Sequence, residues 1–335
     1  MKMCLLLIIA LFFSGCGNGS EADEPFEERA RDLGFIEVIN DELEQILNVD
    51  AVPEIIGDGF EWSEGPVWVE EYQFLLFSDV PENRIYKWTE SDGISVYLEP
   101  SGYTGTTGQE GSNGLIIGND GSLLLCQHGD HSIARMEAPL DDPRPEFFII
   151  ADQYEGNRFN SPNDLVQHSS GDIYMTDPPY GLEGYADDPA RELDYQGVFR
   201  IDTDGTVHLQ TDELTRPNGL AFTPDEQQLY VANSDPRQAI WMVYDVGDDG
   251  NISNGRLFYD ATDKVGDEPG LPDGMKVTSD GYLFATGPGG VWIFTPEGGV
   301  LGKIKTGEFI SNLAFDEDEQ TLYMTADSFL LRLEL

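Results

Sequence analysis

Four oxygen-bearing side chains stand at the start of four similar motifs: Glu64 in EGPVW, Asn163 in SPNDLV, Asn218 in RPNGLAF and Asp273 in LPDGMKV. Carboxylates and carboxamide oxygens are hard ligands, suited to Ca²⁺ or Mg²⁺ and less to soft metals. The formal charges of Glu64 and Asp273 would offset one divalent ion, and buried together without a cation they would be costly. Each Asx residue has a second reading as an ordinary turn cap, and Asn113 in SNGLII and Asn312 in ISNLAF are read that way. Glu64 is not, because Glu is a poor turn residue.

These residues lie far apart, so the fold must bring them together. Taken in order, the six anchors Glu64, Asn113, Asn163, Asn218, Asp273 and Asn312 are spaced 49, 50, 55, 55 and 39 residues apart. That is the repeat length of a β-propeller blade, and six units can close a ring. Each anchor is expected at the start of an inner strand, facing the central channel. Runs such as GLIIGNDGSLLLCQ and GMKVTSDGYLFATG place an Asx-Gly turn between two strand-like segments. The expectation is an all-β, six-bladed β-propeller over 35–335 with a short N-terminal helical and tether extension, and no second domain. Asp41 is expected to cap a short helix with Leu43, Ile46 and Leu47 on one face, followed by a strand around 54–56. The segment LLRLEL at 330–335 lacks a following hairpin partner and is expected to pair with an N-terminal strand, closing the ring.

The chain has 335 residues with 18 basic and 63 acidic side chains, a net charge of −45. That sign excludes nucleic acid as a partner. Lys2, an apolar run over 5–13 and Ser14-Gly15-Cys16 read as a lipoprotein-type signal peptide over 1–15, with lipidation at Cys16. An ordinary signal peptide or a short membrane anchor is the alternative. Residues 16–34 read as an acidic tether. The protein is then expected to be exported, a cell-envelope lipoprotein facing the periplasm, touching the membrane only through its lipid. Only Cys126 would stay free, so no disulfide framework is expected.

The chain contains no GxSxG elbow, HExxH, CxxC or Walker loop. Instead WSEGPVW, FNSPNDLV, YMTDPPYGL, RPNGLAF and LPDGM, in order, resemble the senescence marker protein/gluconolactonase/luciferin-regenerating enzyme-like family, with SPNDL and TDPPYG pointing to its bacterial gluconolactonase branch. The resemblance implies a six-bladed propeller with one divalent cation in the channel, usually Ca²⁺, with Mg²⁺ or Zn²⁺ as alternatives. It implies Glu64, Asn218 and Asp273 as ligands and Asn163 beside the metal, contacting it or the substrate. It also implies Asp273 as general acid/base. Where animal members carry a substrate-binding Arg and Glu, this chain has Ser161 and Tyr180, so other contacts are needed. His128, Asp130, Arg158, Asp177 and Tyr180 are the candidates; each also has a structural reading as a hydrogen-bonding, ion-pairing or turn residue. The expected activity is Ca²⁺-dependent opening of a sugar lactone. An aryl esterase or phosphotriesterase on the same metal, and a non-catalytic binding propeller with a structural ion, are the competing readings.

Overall fold

A computed structural model of the protein describes residues 33–105 and 110–335. The expected signal peptide, Cys16 and the tether as far as residue 32 lie outside the described residues.

The fold is a six-bladed propeller. Blade I is the antiparallel sheet Ser63–Val69, Phe74–Asp79, Arg84–Thr89, Gly93–Leu98. Blade II runs Ser112–Ile117, Leu123–Gln127, Ser132–Met136, Phe147–Ala151. Blade III is Leu165–Gln167, Ile173–Asp177, Gly197–Ile201, Val207–Thr211. Blade IV is Pro217–Phe222, Gln228–Asp235, Gln238–Val246, Ile252–Asp260. Blade V is Met275–Val277, Leu283–Gly287, Gly290–Phe294, Val300–Lys305, and blade VI is Asn312–Phe315, Thr321–Ala326, Phe329–Glu334.

Residues from the N-terminal side complete the last two blades. Glu54–Asp58 pairs with Phe329–Glu334 as the outer strand of blade VI, which closes the ring as the sequence implies. Phe35–Val38 adds a fifth strand to blade V, against Val300–Lys305, which the sequence did not signal. Helical structure among the described residues is confined to short 3₁₀ turns, and no described helix is long and apolar enough to cross a membrane. The turn Asp41–Gln45 is capped by Asn40, whose Oδ1 accepts from the Glu42 N–H, and not by Asp41.

The second strand of each blade is pressed between neighbouring blades on both faces. Its sequence is therefore a continuous apolar run, such as FLLFSD in Phe74–Asp79 and LLLCQ in Leu123–Gln127, and every residue of both is buried. Six apolar clusters among the described residues fill the gaps between blades. One joins blades I and II through Leu76, Leu115 and Leu125, and another joins IV and V through Trp241, Trp292 and Phe294. Each buried side chain of this size stabilises by about 1.5–3 kcal/mol.

Near the axis the inner strands crowd each other, and glycine permits it. A Cβ on Gly219 would stand 2.2 Å from the Asp273 carbonyl oxygen, and one on Gly65 2.2 Å from that of Asn113. The glycine after the anchor in these two motifs is thus a close-approach device.

Candidate active site

Glu64, Asn113 and Asn218 reach the channel by the same local route. The first two strands pair regularly, then slip: Glu64↔Ser78 is followed by Val67↔Leu76, and Pro217↔Asn233 by Leu220↔Val231. Bulges of this kind re-aim side chains, and here they turn Glu64 and Asn218 to the axis. A polar residue near the end of the second strand then fastens the segment before the anchor. Asp79 accepts the N–H groups of Glu61 and Trp62, each at 3.1 Å. Asp177 accepts those of Asn160 and Ser161 at 2.8 and 2.7 Å, and Asn233 accepts that of Arg216 at 2.8 Å.

At one end of the channel the anchors line a cavity of about 370 Å³, within the ordinary range for a small-molecule site. Glu64, Asn163, Asn218 and Asp273 share its wall with Asn113, Glu110, His128, Tyr180 and Ser234. Trp62, Leu271, Phe309 and Ile310 supply an apolar side.

The electrostatics are those of crowded acids. Burial, with the nearby Asp164 charge, pushes the Glu64 carboxyl up to about 7. Burial and the charges of Glu64 and Asp164 hold Asp273 well above the usual carboxylate range. Asp273 Oδ1 is buried and has no hydrogen-bond partner among the described residues. Asp164 lies behind the cavity wall, its Oδ1 accepting from the Leu165 N–H, and the Lys276 ammonium offsets its charge. Three carboxylates and one ammonium leave a formal deficit of two positive charges.

A divalent cation fits this donor set. It would meet an orphaned carboxylate oxygen, a second carboxylate and carboxamide oxygens, all hard donors. No cluster of three or more His, Cys, Asp or Glu side chains placed to hold a metal occurs among the described residues. Ligation here would rest on the two carboxylates together with Asn163 and Asn218. Asn218 is set for that role: its Nδ2 donates to Ser234 Oγ at 3.0 Å, leaving Oδ1 for a ligand.

The candidate substrate contacts divide. His128 and Tyr180 are on the cavity wall. Burial raises the Tyr180 phenol, which keeps it a hydrogen-bond donor beside Asp273. Arg158 and Asp177 are not on the wall. Arg158 turns outward to Glu192, with Nε–Oε1 at 3.8 Å and its backbone N–H donating to the same carboxylate, because an exposed arginine in so acidic a chain finds a surface acid. Asp177 is fully buried and spends both oxygens on the loop that carries Asn163. Asp130 likewise holds Thr104. Ser161 ties two loops together, donating to the Pro178 carbonyl at 2.6 Å and accepting from the Gly181 N–H at 2.9 Å.

Asp164, Lys276, Ser234 and Glu110 were not anticipated. Asp164 had a signal: it follows Asn163 where the motifs of Asn113, Asn218 and Asp273 have glycine. Asn113, read as a turn residue, instead presents a buried Oδ1 with no partner among the described residues.

Residues 62–328 match the family model described as the SMP-30/Gluconolactonase/LRE-like region. A gluconolactonase of Zymomonas mobilis subsp. mobilis is 41% identical over 309 residues, 90% of this chain and 86% of that protein. The pentonolactonase XacC of Haloferax volcanii is 28% identical over 280 residues, 82% of this chain and 84% of its own. Among solved structures, a gluconolactonase of Xanthomonas campestris aligns with a TM-score of 0.79 at 31% identity, covering 91% of this chain and 96% of that one.

Proposed function

The chain belongs to the SMP-30/gluconolactonase/LRE-like family, and on that premise we propose that it hydrolyses a sugar lactone to the open-chain acid with the help of a divalent cation, Ca²⁺ first among the candidates. The observation that carries this reading is Asp273 Oδ1, without a partner among the described residues, in a side chain on the wall of a cavity it shares with Glu64, Asn163 and Asn218. Those four side chains would hold the cation, which when bound supplies Lewis-acid polarisation of the lactone carbonyl.

The protein's own groups do the rest. The Asp273 carboxylate takes a proton from the water that attacks the carbonyl carbon. It returns that proton to the ring oxygen as the ester C–O bond breaks. The hydroxyl of Tyr180, near Asp273, orients the water or the leaving oxygen. The apolar side of the cavity excludes competing water from the sugar ring.

The test is hydrolysis of δ-gluconolactone followed by proton release, with Ca²⁺ and with chelator, beside an aryl ester and a phosphotriester. Glu64→Ala and Asp273→Ala should abolish cation-dependent lactone opening while the propeller still melts cooperatively. Full activity in both variants would overturn the assignment.

We also propose that the protein is exported and held to the membrane by a lipid on Cys16, a reading supported by the sequence pattern at 1–16. Cys16→Ala should move it from the membrane fraction to the soluble fraction; an unchanged distribution would reject the anchor.

A further inference from the structure

Blade II supplies none of the four proposed cation ligands, which come from blades I, III, IV and V. It nevertheless puts three polar side chains on the cavity wall: Glu110 just before its first strand, Asn113 on that strand and His128 just after its second. Leu271, Phe309 and Ile310, from the segments leading into blades V and VI, add apolar surface to the wall.

The blade II groups are held rigidly. Asn113 has its backbone fixed from both sides, by Ser78 Oγ donating to its carbonyl at 2.8 Å and by the close approach of Gly65. The residue is 6% exposed, and its Oδ1 has no partner among the described residues. A buried acceptor left without a hydrogen bond is unfavourable, so a ligand that donates to it is strongly selected. His128 is buried with Nδ1 3.1 Å from the Pro162 carbonyl. A carbonyl only accepts, so Nδ1 carries a hydrogen. Nε2 stands 3.2 Å from Glu110 Oε2; because a carboxylate only accepts, this contact is a hydrogen bond only when the imidazole carries a hydrogen on both nitrogens, and as that ion pair it orients the carboxylate at the cavity.

We infer that Asn113, with the Glu110–His128 pair, forms a hydroxyl-binding sector that makes the site selective for polyhydroxylated lactones over lactones without hydroxyl groups. The inference rests on the lactone-hydrolase reading and deepens it. The acceptors Asn113 Oδ1 and Glu110 take hydrogens from sugar hydroxyls, while the carbonyl end lies at Glu64 and Asp273. A site built to bond hydroxyls rejects the analogue that lacks them, because its buried polar groups are then left unpaired.

The experiment compares wild type with Asn113→Leu and Glu110→Gln on δ-gluconolactone and δ-valerolactone. It also measures Ca²⁺ affinity and the binding of the unreactive δ-gluconolactam and δ-valerolactam by calorimetry. Each variant should raise KM for gluconolactone by roughly tenfold or more with kcat little changed. KM for valerolactone and Ca²⁺ affinity should not move. Equal losses on both lactones, a drop in Ca²⁺ affinity or no change at all would overturn the sector. If wild type opens neither lactone, the hydrolase reading fails by itself. The lactam pair then decides the sector: selective loss of gluconolactam binding in the variants supports it, and equal binding rejects it.

Discussion

Ser234 stands between Asn218 and Pro272: its Oγ accepts from Asn218 Nδ2 at 3.0 Å and donates its own hydrogen to the Pro272 carbonyl. Because the hydroxyl hydrogen is committed, only the NH₂ end of the Asn218 amide can face it, and the carbonyl end is presented to a ligand. Groups of this kind tune metal sites strongly. Ser234→Ala should weaken Ca²⁺ binding by about 10- to 100-fold, measured by calorimetry, with little change in the melting temperature of the metal-free protein. Unaltered affinity would remove Asn218 from the ligand set.

Cation binding and pH should be linked through Glu64. Burial first, then the Asp164 charge, lifts its carboxyl from 4.5 to about 7. The folded protein therefore holds this proton more tightly than the unfolded chain. Its contribution to stability is fully present below pH 4.5 and is lost as pH rises through 7. For the metal-free protein that loss is on the order of 3 kcal/mol. Bound Ca²⁺ would offset it, so the rise in melting temperature on adding Ca²⁺ should be larger at pH 8 than at pH 5. Equal increments at the two pH values would contradict the linkage.

Asp177 and Arg158 should respond in opposite ways to removal. Asp177→Ala strips the partners from the Asn160 and Ser161 N–H groups, at about 1–3 kcal/mol for each orphaned donor. It should lower both the melting temperature and kcat/KM, since the freed loop carries Asn163. Asp177→Asn, which keeps one acceptor, should recover part of both. Arg158→Ala should leave KM within about twofold. A large rise in KM for Arg158→Ala would return that residue to the substrate.

Gly219→Ala tests the close approach of the inner strands. The new Cβ would stand 2.2 Å from the Asp273 carbonyl oxygen, so blades IV and V must part or the Asp273 backbone must move. Overpacking of this kind costs about 1–3 kcal/mol or more. The expected result is a lower melting temperature together with weakened Ca²⁺ binding, read by thermal unfolding and calorimetry.

Much of this was legible in the chain. The repeat of Asx and Glu anchors marks the six inner strands, and the unpartnered run at 330–335 marks the seam. Glu64, Asn163, Asn218 and Asp273 do share one wall, because a ring of blades superimposes equivalent positions on an axis. What stayed hidden depends on contacts that periodicity does not encode. Phe35–Val38 is too short to announce itself as a strand and is defined by Val300–Lys305 beside it. Asp177 ends the strand Ile173–Asp177 and Tyr180 follows three residues later, yet one faces the packed interior and the other the cavity. Arg158 took the nearest surface acid. Ser234 carries no signal of its own, since it matters through what it touches.

The seam has a bearing on how the molecule comes into being. Glu54 and Arg332 meet at 2.7 Å although 278 positions separate them, so the sixth sheet cannot be completed until both regions of the polypeptide are available together. Contacts of such long range form late. A partly translated chain thus remains an open arc, with Glu54–Asp58 lacking the strand Phe329–Glu334 that it pairs with. The native annulus and its acidic pocket then arrive at nearly the same moment.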